Sequence, residues 1–112
     1  MTQLTHFDKQ GASRMVDVSN KEITDRVAVA HAKITMKQET FQLIVDKKIQ
    51  KGDVLEVARV AGIMAAKQTS SLIPMCHPLN LSSVKIDYTN NSVDTIDIFS
   101  EVRVTGKTGV EM

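Results

Sequence analysis

An α+β domain is the fold class this sequence predicts, and three observations carry it. One early stretch alternates apolar and polar residues at the two-residue period of a strand, two consecutive stretches carry helix start signals, and two later strand-like runs meet at an asparagine turn. A length of 112 residues allows a single core and hence a single domain.

From Met1 to about Asn20 no hydrophobic period persists, and Gly11, Ser13 and Ser19 interrupt what there is. Residues 1–20 are therefore expected to form a flexible arm that orders on a partner or ligand, with residues 21–112 as the α+β domain. Arg26 to Met36 has apolar residues at 28, 30, 32, 34 and 36, the alternation of a strand that buries one face. Val27 and Val29 suggest that its other face is partly covered too. Thr35 followed by Gln38 is a capping-box pattern, and Phe41, Ile44, Val45 and Lys48 fall on one helical stripe, so a first helix is predicted from about Met36 to Lys48.

Gly52 breaks that pattern, and Asp53 with Glu56 offers a second N-cap for a helix reaching about Ser71. Apolar residues from Val54 to Ala66 wrap most of this helix and leave only a narrow Glu56, Arg59, Lys67 stripe polar. A helix apolar nearly all round must be covered on more than one side, which one small sheet cannot do, so a subunit interface is expected. Leu81 to Tyr88 and Ser92 to Val104 read as strands around Thr89-Asn90-Asn91, since asparagine tolerates the left-handed backbone of tight hairpins. Val110-Glu111-Met112 then follows a glycine-punctuated loop without cap or polar tail, and reads as the front part of something longer.

Composition narrows the function. With 42% hydrophobic and 24% charged residues the chain is a folded, soluble type rather than a disordered one. A formal charge of +1 and 4% aromatic residues argue against a nucleic-acid binder, which needs a basic excess and rings for stacking. Cys76, the one cysteine, excludes an internal disulfide; the polar start lacks a signal core, and no apolar run is long enough to span a membrane. These features point to the cytoplasm and away from a membrane partner.

Pro74 and Pro78 bracket Met75-Cys76-His77 after the long apolar helix. Each proline fixes φ and removes a donor, so His77 is held on a stiff, non-helical corner. With Lys67 one helical stretch upstream, the corner reads as an anion-binding, acid-base site or, more blandly, as a helix stop with a satisfied histidine. Cys76 and His77 are adjacent and point apart in extended chain, which disfavours a nucleophile-base pair, and no paired Cys or His stands at metal-ligand spacing. Cys76 reads as a small, partly buried hydrophobe, and nothing here asks for a metal or cofactor. Gly106-Lys107-Thr108 suggests a phosphate loop, but Glu101 stands where that motif needs its first glycine, so an ATPase is excluded. Lys51 precedes the apolar helix and His77 follows it; about eighteen helical residues at roughly 1.5 Å each put them about 27 Å apart. If both act on one small ligand, two subunits must share the site.

Lys51-Gly52-Asp53-Val54, the run Ala58 to Lys67, Leu72 to Leu79, and Thr105 to Met112 closely resemble the MoaC family, the cyclic pyranopterin monophosphate synthases of molybdenum cofactor biosynthesis. Leu4-Thr5-His6 and Met15-Val16-Asp17-Val18 match as well, so the resemblance spans the chain. It implies a ferredoxin-like antiparallel sheet with helices on one face, and a homo-oligomer, a hexamer of three dimers with interfacial sites. The implied reaction converts a cyclised dihydro-GTP to cyclic pyranopterin monophosphate with release of pyrophosphate. Ammonium and guanidinium groups suit the triphosphate, and ring opening and closure need repeated proton transfers.

By position, the resemblance makes Lys51 and His77 the functional Lys and His. It makes Met75, Cys76, His77, Glu111 and Met112 substrate contacts, with Lys67 and Arg26 as further phosphate contacts. It also implies a catalytic Asp and Lys in a segment that this sequence does not contain, so the chain reads as an inactive fragment or an incompletely recorded protein. Two other readings stand beside the enzyme: a nucleotide-binding module without turnover, and a structural subunit that binds neither nucleotide nor product.

Overall fold

The computed structural model describes residues 7–47 and 52–112. Its elements are strand β1 (Thr24–Thr35), helix α1 (Gln38–Val45), helix α2 (Val54–Leu72), strand β2 (Leu81–Asn90) and strand β3 (Thr95–Gly106). β3 lies between the other two and is antiparallel to both, so β1 and β2 run parallel with a strand between them. This split βαβ is an α+β arrangement compatible with the ferredoxin-like expectation.

Register follows from the alternation, but β1 does not bury a face as expected: only Ala28 is half-buried and Val27 and Val29 are exposed, because α2 is tied to β2 at the opposite edge of the sheet. Ala28 faces Val102 and Ile34 faces Ile96 across β1 and β3, while Ile86 faces Ser100 and Tyr88 faces Ile98 across β2 and β3. These side chains share one sheet face because successive strand residues point to opposite sides. An irregularity between Leu81 and Ser83 brings Leu81 opposite Val104 on that same face. Ile44 of α1 and Val54, Leu55 and Ala58 of α2 line one apolar cavity with Ile34 and Ile96, so both helices lie over this face. Phe41, Ile96, Val104 and Val110 are the buried hydrophobics among the described residues.

The starts and ends depart from the sequence pattern in three places. Thr35 does not cap α1: its hydroxyl bonds that of Thr95 across the sheet at 3.0 Å, and Lys37 takes the N-cap position without a side-chain bond. Met36 donates to the Asp94 carbonyl at 2.9 Å, which delays the helix to Gln38. At the other end Lys47 turns left-handed (φ 57°) and its amide donates to the Ile44 carbonyl, so the helix stops at Val45 instead of running to 48. The hairpin also turns later than Thr89–Asn91: the Asn91 side chain accepts from the amides of Val93, Asp94 and Thr95, and Ser92 takes the positive φ of 66°. Both β strands of the hairpin are lengthened or shortened accordingly.

α2 begins as predicted, with the Asp53 carboxylate accepting from the Glu56 amide at 3.3 Å. Arg59 leaves its surface to donate to the Ile86 carbonyl at 2.9 Å and lies over the Tyr88 ring, which ties the helix to β2. None of its 19 residues is fully buried, and Val57, Val60 and Met64 are more than half exposed along one stripe. A radius of gyration of 18.4 Å exceeds the about 13 Å of a compact domain of this length. No helix among the described residues is long and apolar enough to cross a membrane.

Candidate active site at the proline corner

α2 ends at Leu72, and the next four residues make a tight turn in which the Ile73 carbonyl accepts from the Cys76 amide at 3.3 Å. Pro74 supplies the fixed φ that the first central position of such a turn favours. Met75 then takes a φ of 61°, a left-handed conformation that L side chains adopt at a cost. The reversal sends Cys76 and His77 back toward the loop that leaves β3.

Here three separated segments enclose a cavity of about 300 Å³. Met75, Cys76 and His77 form one wall, Glu111 and Met112 a second, and Val16, Val18 and Lys21 from the N-terminal segment a third. Five positions singled out in the sequence thus meet within one chain. Lys67 lies elsewhere, along a separate polar cleft with Asn80, Ser82 and Ser83, and Arg26 is an exposed β1 residue whose Nε donates to the Thr24 hydroxyl at 2.9 Å. Lys51 falls outside the described residues.

The two reactive side chains of the corner have different commitments. Cys76 Sγ donates to the His77 main-chain carbonyl at 3.3 Å and has no basic side chain bonded to it among the described residues. His77 is half-buried, and its Nε2 donates to the main-chain carbonyl of Val16. A carbonyl can only accept, so the neutral ring carries its proton on Nε2 and keeps its lone pair on Nδ1. That is the nitrogen left for proton abstraction.

Besides Glu111, charge at or near the cavity comes from Lys21 in its wall and from Asp17 and Lys107 on the segments behind it. Asp17 accepts from the Ser19 amide at 2.9 Å, and Lys107 Nζ donates to the Ser19 carbonyl at 3.3 Å. The Asp17 carboxyl is held below its ordinary value by the Ser19 amide and hydroxyl, which outweigh the opposing effect of burial; the Lys107 ammonium, and His77 whenever its ring is protonated, add smaller pulls in the same direction. Lys107 belongs to the glycine-punctuated loop, which proves to be a tether for the N-terminal segment. On the opposite wall the Glu111 carboxylate folds against Gly109, in space that a Cβ there would occupy. The placement of Lys21, Asp17 and Lys107 beside the corner follows from contacts between residues far apart in sequence, Lys107 on Ser19 and His77 on Val16, which no local spacing signals. Among the described residues no group of three or more His, Cys, Asp or Glu could hold a metal ion.

The arrangement offers a positioned imidazole, one lysine, Lys21, and a partly apolar lining, which suits proton transfer on a bound anionic molecule. Residues 15–112 match the model of the MoaC family. The chain is 56% identical over 98% of its length to a cyclic pyranopterin monophosphate synthase of Brevibacillus brevis, covering 69% of that protein. It is also 56% identical over 100% of its length to the protein of that name from Heliobacterium modesticaldum, covering 71%, and 52% identical to that of Thermomicrobium roseum, covering 68%.

Proposed function

From the premise that this chain belongs to the MoaC family, we propose that the cavity at the proline corner is where it works on a GTP-derived nucleotide. The chain is a cyclic pyranopterin monophosphate synthase, a lyase of molybdenum cofactor biosynthesis. Its reaction takes the cyclised dihydro-GTP to cyclic pyranopterin monophosphate and releases pyrophosphate. The observation that carries the site assignment is the convergence of Met75, Cys76, His77, Glu111 and Met112 on one cavity.

In this reading His77 is the acid-base group, taking protons at Nδ1 while Nε2 stays bound to Val16. Lys21 faces the phosphates from the rim, and Glu111 and Met112 contact the substrate opposite His77. Lys51 acts as the second catalytic group and reaches the site from a neighbouring subunit, with Lys67 and Arg26 as further phosphate contacts. The assembly is a hexamer of three dimers in the cytoplasm.

The exposed stripe of Val57, Val60 and Met64 supports a subunit interface. Fully burying one such side chain contributes about 1.5–3 kcal/mol, so a two-fold contact that covers the stripe on both copies is strongly favoured. Incubation of the full-length protein, including the segment to which the resemblance assigns a further Asp and Lys, with the cyclised dihydro-GTP tests the function directly. Pyrophosphate and cyclic pyranopterin monophosphate should appear in equal amounts, and a protein that binds the nucleotide without either product would overturn the assignment.

A further inference from the structure

Histidine positions for acid-base work are only as good as whatever holds the ring, and at His77 that partner is a main-chain carbonyl on a segment with little regular structure. The Val16 carbonyl stays in place only if the chain on either side of it is fixed. Two turns do this immediately after Val16. Asp17 Oδ1 accepts from the Ser19 amide at 2.9 Å, and the Val18 carbonyl accepts from the Lys21 amide at 3.0 Å. The tether from Lys107 to the Ser19 carbonyl then fastens the pair of turns to the loop that follows β3. Val16 and Val18 are the half-buried residues of this stretch and line the cavity, while Asp17 between them is exposed.

We propose that Asp17 is a positioning residue for His77: its side chain closes the turn that holds the Val16 carbonyl on Nε2 of the imidazole. Asp17 touches no reacting atom in this scheme. It acts through the carbonyl, and the carbonyl acts by choosing which nitrogen bears the proton and which way the ring faces. The carboxyl remains ionised through the working range because the Ser19 amide and hydroxyl hold it low, so the turn does not open near neutral pH. The inference rests on the reading of His77 as the acid-base group, and it adds the N-terminal segment to the machinery as a support that works at a distance.

The test uses protein labelled with ¹⁵N in its histidines, with the His77 signals assigned by their absence in His77→Ala. In the unaltered protein the Nε2 proton should be visible because its bond to Val16 slows exchange with water. Asp17→Ala should fold, lose that proton signal, and lower kcat about tenfold, part of the roughly 10²–10⁴ that a positioned acid-base group supplies, with little change in KM. Asp17→Asn keeps an oxygen for the Ser19 amide and should restore both the signal and most of the turnover. An unchanged Nε2 signal in Asp17→Ala would overturn the proposal, as would an asparagine variant as impaired as the alanine one. Because the ring signal is read without substrate, a protein that shows it and turns over nothing would contradict the enzymatic reading while leaving the positioning contact intact.

Discussion

Gly62 of α2 sits directly against the δ-methyl of Ile86 on β2, in space that a Cβ would need. The helix therefore approaches the sheet as closely as it does because one position has no side chain. Gly62→Ala gains about 1 kcal/mol in helix propensity but makes the terminal methyl of Ile86 swing aside at a cost of about 0.5–1.5 kcal/mol, for little net change in stability. In an Ile86→Val background the offending methyl is gone, and the same substitution should be stabilising. Denaturant titration of the four proteins measures the coupling, and strict additivity would show that the contact does not limit the packing.

Met75 is a second position where backbone and side chain pull apart. Its φ of 61° suits asparagine or glycine, yet its side chain lines the cavity. Met75→Asn should leave thermal stability unchanged or slightly higher and raise KM, whereas Met75→Val should cost about 1–3 kcal/mol because a β-branched residue resists the left-handed region. Equal stability of the two variants would mean that the turn relaxes to accept valine.

Acid stability is tied to the start of α2. Burial pushes the Asp53 carboxyl up, but the Glu56 amide and the Lys47 ammonium, 3.4 Å away, hold it below its ordinary value of 3.8. A depressed carboxyl stabilises the fold fully above its unfolded value and loses that effect as pH falls through the folded one. Asp53→Asn keeps the cap and should flatten the decline in Tm below about pH 4, while Asp53→Ala should lower Tm by a few degrees at neutral pH. Parallel acid limbs for the original protein and the asparagine variant would contradict this.

Chemistry at the corner is assigned to imidazole rather than thiol. Cys76→Ser preserves a donor for the His77 carbonyl and should retain most turnover, whereas His77→Ala should fold and lose about 10²–10⁴-fold in kcat/KM. The opposite ranking, with both variants assembling normally, would make Cys76 the reactive group.

Shared sites predict complementation. When Lys51→Ala and His77→Ala subunits exchange freely, half of the dimers are mixed and each mixed dimer has one intact site, so about a quarter of the activity should return. Val60→Glu should shift the protein to smaller species in size-exclusion chromatography, because it places a charge on the exposed α2 stripe. Demonstrated exchange without recovery would confine each site to one subunit.

Most of the fold was legible because its signals are periodic and local. Ala28, Ala30, Ala32 and Ile34 announce β1 by alternation, and Asp53 with Glu56 announces α2. Misreadings arose where a side chain had two possible partners. Thr35 could have capped a helix but is taken by Thr95 sixty residues on, and Asn91 organises a longer turn with three amides instead of a tight hairpin. At the site, the two prolines and the resemblance point to the corner and to Glu111 and Met112, whereas Asp17 and Lys107 stand out only as parts of motifs, without a place at the site, and Lys21 does not stand out at all. Their role depends on a segment of little hydrophobic period lying beside the corner, which only tertiary contact determines.

β1 pairs residue for residue with β3, from Thr24 opposite Gly106 to Thr35 opposite Thr95, and makes no ladder with β2. Its nearest partner in sequence is therefore 60 residues away. At a synthesis rate of about 5–20 residues per second, β1 leaves the ribosome about 3–12 s before that partner exists, while a helix forms within about a microsecond. The nascent chain thus carries a strand with no mate, and its Val27, Val29 and Ile34 are candidates for pairing with another chain. Asp25, Arg26 and Lys33 punctuate this stretch with charge and act as gatekeepers during the wait. Replacement of Lys33 by an apolar residue would tell first in the yield of folded protein.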